Sequence, residues 1–270
     1  MSKLYSKLYI IPDAAHIEES LALAEQYDAH FEYNDFYLPD VYNDAARVDA
    51  LIDLYTALPR DRSLDTLHGA FLDVTVHSAD AEIRAVSDKR IRQSMEIAKR
   101  LGVCAVIFHT NLIANFKTKS YIDGWVSKNA AYWRMLSTEY PDITIYIENM
   151  FDSDPIPMKS LMEALSDVPG VRACFDFAHA AVFGEDVQAW ARALIPYTAH
   201  GHVNDNDGIA DLHLPIGDGV LNFELLDRAL SRSDIQPGIL IETSGAETQK
   251  KSIQYLKQNG LYPFRKVEKE

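Results

Sequence analysis

Cysteine is nearly absent from this chain: Cys104 and Cys174 are its only two. Both sit inside apolar runs, so they read as buried reduced thiols, and a disulfide framework of the secreted kind is excluded. No apolar run approaches the roughly 18 residues needed to cross a bilayer. The start of the chain, Met1-Ser2-Lys3-Leu4-Tyr5, lacks the apolar stretch of a signal peptide, so a cytoplasmic protein with no membrane partner is expected. Pro/Gly/Ser-rich linkers and low-complexity tracts are missing too. That leaves no domain boundary and points to one domain over residues 1–270, ending in a charged, frayed tail from Arg265. Basic charge is the last shortage. With 26 Lys and Arg against 40 Asp and Glu, the formal net charge is -14. A non-specific polyanion binder needs a basic stripe to displace counterions, so nucleic acid is disfavoured as a partner.

What the chain has is a 47% apolar composition, ample for a large core, and a regular alternation of short β-rich runs with amphipathic stretches. The strands fall at 7–12, 30–33, 64–68, 104–109, 143–148, 171–176, 199–204 and 238–242. Helical patterns follow at 15–27, 45–58, 80–101, 121–140, 158–166, 186–194, 223–231 and 246–259, with Gly102 and Pro141 as stop signals. Each strand is followed by a helix, which predicts an α/β protein of the (β/α)8 TIM-barrel type, a fold that routinely takes about 250 residues in one domain. An open doubly wound sheet fits less well. Its glycine-rich first turn is missing, and the chain there reads Ile11-Pro12-Asp13-Ala14.

A barrel places its chemistry at the C-terminal ends of its strands. Strand 3 ends in His68, strand 4 in His109 and strand 5 in Glu148. Strand 6 ends in Asp176 with His179 three residues on; strand 7 carries His202 and Asp205; strand 8 ends in Glu242. The loop after strand 7 adds Asp211 and His213. In 143–148 the isoleucines share one face and Thr144, Tyr146 and Glu148 the other, so the aliphatic face packs on helices and Glu148 points into the mouth. The same phase turns Glu242 inward. Ionised carboxylates there are costly unless paired or bound to a cation. Glu148, Asp176, His202 and Glu242 thus make an O3N set suited to Mn2+, Mg2+ or a similar divalent ion.

Blander readings stand beside these. The glutamates could pair with barrel cations, although few lie at neighbouring strand ends. His68 and His109 fit metal ligation, substrate hydrogen bonding or a satisfied core position; His179, Asp211 and His213 fit a further ion, a substrate clamp or a loop network. Gly217-Asp218-Gly219 reads as a plain turn before a phosphate loop, and Lys117 and Lys119 as solvated surface. His200 shares the face of His202 one layer deeper and should pack. Residues 31–37 could wall or cover the mouth, and Glu32, on the side of His30, could meet sugar hydroxyls or cap a loop.

In the order Leu67-His68-Gly69, Phe108-His109, Ile147-Glu148-Asn149, Phe175-Asp176-Phe177-Ala178-His179, His202-Val203-Asn204-Asp205, Asp211-Leu212-His213-Leu214-Pro215-Ile216-Gly217-Asp218-Gly219 and Ile241-Glu242-Thr243, the chain resembles the xylose-isomerase-like barrel superfamily. That superfamily holds sugar-phosphate isomerases and epimerases and the endonuclease IV type of apurinic endonuclease. For the single-metal branch the resemblance implies one Mn, Mg or Zn ion on Glu148, Asp176, His202 and Glu242, with Glu148 and Glu242 also the acid–base pair. The implied reaction is isomerisation or epimerisation of a sugar, sugar phosphate, sugar acid or cyclitol through an enediolate, with lyase or hydrolase chemistry open to the same scaffold. The endonuclease pattern implies up to three zinc ions: His68, His109 and Glu148 on one; Glu148, Asp176, His202 and Glu242 on the second; His179, Asp211 and His213 on the third. Against a nuclease stand the acidic balance and the short 202–211 segment. Val203-Asn204-Asp205-Asn206-Asp207 also lacks the arginine that ketose 3-epimerases place after this histidine, which counts against a free-ketose epimerase. A non-catalytic sugar-binding barrel is the reading from another class. Barrels of this kind often pair, so a homo-oligomer is compatible with the outward apolar helix positions.

Overall fold

The computed structural model describes residues 7–265. Eight parallel strands close in sequential order: β1 (Leu8–Ile10), β2 (His30–Tyr33), β3 (Thr66–His68), β4 (Ala105–His109), β5 (Thr144–Glu148), β6 (Val171–Asp176), β7 (Thr198–Val203) and β8 (Gly238–Ile241). The helices are α1 (Ile17–Tyr27), α2 (Pro39–Tyr42), α3 (Ala45–Thr56), α4 (Ala81–Leu101), α5 (Lys119–Glu139), α6 (Ile156–Ala164), α7 (Phe177–Val182), α8 (Val187–Leu194), α9 (Phe223–Ser231) and α10 (Ala246–Gln258). The (β/α)8 expectation holds, and β1 pairs with β8 to seal the barrel.

Helix starts follow side-chain chemistry. Asp44, Asp80, Asp186 and Asn222 each accept a backbone N–H from the first turn of the helix they precede. Gly102 ends α4 at φ 74°, a conformation open to glycine without a Cβ penalty. Two short helices, α2 and α7, lie outside the helical patterns of the sequence. Pro39 opens α2, and α7 is capped by Asp176, whose side chain accepts the His179 N–H.

The alternation in β5 works as the sequence implies: Ile145 and Ile147 are buried against the helix layer, and Glu148 lies inside. The barrel interior is unusually polar for a fold commonly filled with branched aliphatics. Tyr146 stacks on His200 with centroids 5.5 Å apart, and Tyr9 meets His200 edge-on at 4.7 Å. Residues 31–37 depart from the wall or lid expectation. Phe31, Tyr33 and Phe36 are wholly buried in the core, and of this segment's aromatic rings only Tyr37 lines the mouth. Both cysteines are free; Cys174 is buried and Cys104 only half-buried, with burial pushing both thiols up. Among the described residues no helix is long and apolar enough to cross a membrane.

Candidate metal centre

Register brings the strand-end side chains to one level: His109 lies beside Glu148 across β4 and β5, and Asp176 beside His202 across β6 and β7. Glu148, Asp176 and His202 are 0% exposed, and Glu242 just past β8 is 7%. His202 Nδ1 sits 3.3 Å from Glu148 Oε1 and 3.5 Å from Glu242 Oε1. The other oxygen of Glu148, Oε2, faces His109 Nε2 at 3.4 Å and His68 Nε2 at 3.8 Å. On the outer side His179 Nε2 and His213 Nε2 converge on Asp211 Oδ2 at 3.3 and 2.9 Å. Of the site residues expected from strand ends, nine are brought together in three adjoining groups: His68 and His109 with Glu148; Glu148 with Asp176, His202 and Glu242; and His179 with Asp211 and His213. Asp205 stands apart, its carboxylate spent on backbone N–H groups of the loop after β7.

Three of these imidazoles are oriented by backbone carbonyls on their second nitrogen. His68 Nδ1 faces Gly69 O at 3.1 Å, His179 Nδ1 Asn149 O at 2.8 Å, and His213 Nδ1 Glu242 O at 3.0 Å. A ring nitrogen committed to a carbonyl carries a proton, which makes Nε2 the nitrogen that has the lone pair whenever the ring is neutral. This removes His179 Nδ1 as a ligand to the Glu148–Asp176 pair despite its closeness, and assigns His179 to the Asp211 side. Asn149 clamps the two central strands: its Nδ2 donates to Asp176 O at 2.8 Å, and its Oδ1 accepts the Asp176 N–H at 2.9 Å.

The donor set fits a cation. Both oxygens of Glu148, Oδ2 of Asp176, Oδ1 of Asp211 and Nδ1 of His202 are buried without a hydrogen-bond partner. Leaving several buried lone pairs unmet is expensive, and a divalent ion is the group that meets oxygen and imidazole donors together. The ligand atoms of Asp176, His202 and Glu242, and separately those of His68, His109 and Glu148, lie within 4.8 Å of one another.

The electrostatics carry the same strain. Burial, reinforced by Glu242 and Glu148, pushes the Asp176 carboxyl well above its usual range. Burial opposes ionisation of Glu148 too, but His202 and His109 hold it well below. Burial would keep His179 neutral, yet Asp176 and Asp211 beside it raise it well above the ordinary imidazole value. His213, against burial, is raised to about 9 by Asp211 and Glu242. Protons and positive imidazoles thus offset the clustered carboxylates, and a divalent cation taken up there would displace protons.

Six members of the cluster, His68, His109, His179, Asp211, His213 and Glu242, line a cavity of about 500 Å³, while Glu148, Asp176 and His202 are not among its lining residues. Its walls are Tyr37, Phe71, Phe151, Met150, Leu38 and Val41, with Asn34, Asp35 and Ser244 as polar points. Arg47 is the one Lys or Arg among the lining residues, and Asp40 pairs with it at 3.1 Å. The phosphate-loop reading of 217–219 is excluded, because the N–H groups of Gly217 and Gly219 donate to Asp205 Oδ2 at 2.9 and 3.0 Å. Lys117 and Lys119 are surface residues paired with Glu185 and Asp123.

Two groups escape sequence reasoning. Glu32 is neither at the mouth nor a loop cap. It is 0% exposed inside the barrel, with His200 Nε2 2.9 Å from its Oε2 and His202 Nε2 3.1 Å from its Oε1, the latter not aligned as a hydrogen bond. Strand alternation shows that Glu32 points inward but not how deep. Asp152 in the β5–α6 loop accepts the Thr110 hydroxyl at 2.6 Å and the Met150 N–H at 2.8 Å on one oxygen, tying together two loops of the mouth.

Burial pushes the Asp152 carboxyl up to about 6. A raised acid binds its proton more tightly when folded. Its contribution is full below about pH 4 and is lost as pH rises through about 6, on the order of 3 kcal/mol in all. Asp152→Asn keeps the acceptor and abolishes the titration. Urea melts of both proteins should show the parent losing stability relative to the variant across that window; parallel profiles would contradict it.

A closed eight-stranded parallel barrel with a carboxylate–imidazole cluster at the C-terminal ends of its strands defines a protein of the TIM-barrel class. The chain belongs to the xylose isomerase-like TIM barrel family, whose model matches residues 24–259. A probable endonuclease 4 of Mycobacterium leprae is 27% identical over 225 residues, covering 78% of this chain and 83% of that protein. The TTHB071 protein of Thermus thermophilus, in crystals soaked with ZnCl2, superposes with a TM-score of 0.73 at 20% identity, covering 94% and 97% of the two chains. A D-tagatose 3-epimerase-like protein gives 0.69 at 22% identity, covering 93% and 96%. Further structural neighbours include a D-psicose 3-epimerase and an IolI protein with a zinc atom bound. At these identities the solved structures show the fold alone.

Proposed function

We propose that the chain is a divalent-metal-dependent isomerase or epimerase of a sugar, sugar acid or cyclitol, in which Glu148, Asp176, His202 and Glu242 hold the ion. The observation that carries this reading is the set of buried, unpartnered donor atoms on Glu148, Asp176 and His202, clustered with Glu242, which lines a cavity of about 500 Å³. A divalent ion held there, Mn, Mg or Zn, supplies Lewis acidity that makes a C–H beside a carbonyl more acidic. Glu148 and Glu242 then move the proton, one removing it and the other returning it: to the opposite face for epimerisation, or to the neighbouring carbon for isomerisation. Asp176 and His202 stay as fixed ligands, Asp176 held by the α7 cap and Asn149. Tyr37, Phe71 and Phe151 exclude water and pack against the apolar face of a ring. With Arg47 already paired, the cavity suits an uncharged or chelating head better than a phosphate. The sugar epimerases among the neighbours agree with this class of substrate.

A second reading, a multinuclear zinc phosphodiesterase, is favoured by one arrangement: the two oxygens of Glu148 face different histidine groups, and His179, Asp211 and His213 form a third cluster. The aromatic walls of the cavity and the acidic chain weigh against a nucleic-acid substrate. Elemental analysis of protein purified without chelator separates the two. About one ion per chain supports the isomerase, and about three supports the phosphodiesterase. Stripping the ion should also lower the thermal midpoint, because an ion at one hundred times its Kd contributes about 2.7 kcal/mol. An unchanged midpoint together with no bound metal would overturn both readings.

A further inference from the structure

We infer that Glu32 is a positioning residue for the cation site: buried beneath it, its carboxylate sets the ring of His202 so that Nδ1 faces the cluster. This rests on the metal reading above. Glu32 lies on β2, one layer below the mouth, and touches the cavity nowhere. Its Oε2 accepts the Thr66 hydroxyl at 2.8 Å and lies 2.9 Å from His200 Nε2, which fixes the carboxylate. His200 is itself locked between Tyr146 and Tyr9. The remaining oxygen, Oε1, stands 3.1 Å from His202 Nε2, while His202 Nδ1 faces Glu148 and Glu242 on the other side of the ring.

The contrast with the other histidines is what singles this pair out. His68, His179 and His213 rest their second nitrogen on neutral backbone carbonyls, whereas His202 faces a carboxylate. A carboxylate behind a ligating imidazole fixes its tautomer, makes it a stronger donor and adds a negative charge close to the cation; losing such a partner typically costs 10–100-fold in metal affinity. Glu32 therefore acts through His202 and meets no substrate.

The test is zinc affinity, read by competition with a fluorescent chelator on the stripped full chain, together with the thermal midpoint of the stripped protein. Glu32→Gln keeps the shape and removes the charge, and should bind its first zinc about 10–100-fold more weakly than the parent. Thr66→Val removes a hydrogen bond to Glu32 but leaves the carboxylate facing His202, and should stay within about threefold. A merely structural Glu32 would shift midpoints and leave the affinities equal, and equal affinities overturn the inference. A parent that takes up no zinc overturns the metal reading and this role with it. Should Glu32→Gln fail to fold, long-range 1H–15N spectra of the zinc-loaded parent decide. A slowly exchanging proton on His202 Nε2 supports the role, and a proton on Nδ1 overturns it.

Discussion

Glu148→Gln should reduce turnover by at least about a thousandfold while leaving the barrel folded. Gln keeps a carbonyl oxygen for an ion but has no basicity, so it removes a proton acceptor without opening a cavity. General acid–base groups contribute about 100- to 10,000-fold, and here a ligand charge is lost as well. The assay follows from the proposed chemistry. Deuterium from solvent should enter the carbon beside the carbonyl in a panel of ketoses, keto acids and inosose-type cyclitols with the parent, and not with the variant. Glu242→Gln should behave alike for one substrate face. Its neighbour Asn204 Nδ2, 3.4 Å from Oε2, can still bond the amide, so this variant should retain more metal than Glu148→Gln. Bound metal is measured in each. Full exchange activity in either variant would sink the proton-transfer mechanism.

The barrel and its mouth are legible in the sequence because both depend on local pattern. Period-2 alternation in β5 separates Ile145 and Ile147 from Glu148 without any knowledge of neighbours, and strand ends are where a barrel collects polar groups. What stays hidden depends on register or on distant backbone. Glu32 sits deep because it lies beside Thr66 across β2 and β3, and register is not written in either strand alone. The helix α7 is masked by its own cap: Asp176 reads as a site residue, and the same side chain spends its other oxygen starting the helix. The aromatics of 31–37 mislead for a related reason. Phe31 and Tyr33 alternate outward with β2 and are wholly buried in the core, whereas Tyr37, beyond the strand, reaches the cavity.

Asp205 shows this most sharply, and its replacement carries the largest expected effect on stability. It follows β7, is 1% exposed, and bonds four backbone N–H groups: Gly217 and Gly219 on Oδ2, Asn206 and Leu221 on Oδ1. Its own backbone exchanges two hydrogen bonds with Leu214. The loop so tied is the one that carries Asp211 and His213 to the site. Gly219 is forced by the same packing, since a Cβ there would collide with the Asn206 carbonyl and the Asp205 carboxylate. Asp205→Ala leaves buried N–H groups unmet and should cost about 3–5 kcal/mol in urea unfolding. Asp205→Asn should be nearly as costly, because an NH2 replaces one oxygen and faces two donors. A loss below about 1 kcal/mol in either would contradict this account. Metal analysis adds a second consequence: the freed loop should lose any ion held by His179, Asp211 and His213, while the group around Glu148, built on the strands, keeps its own.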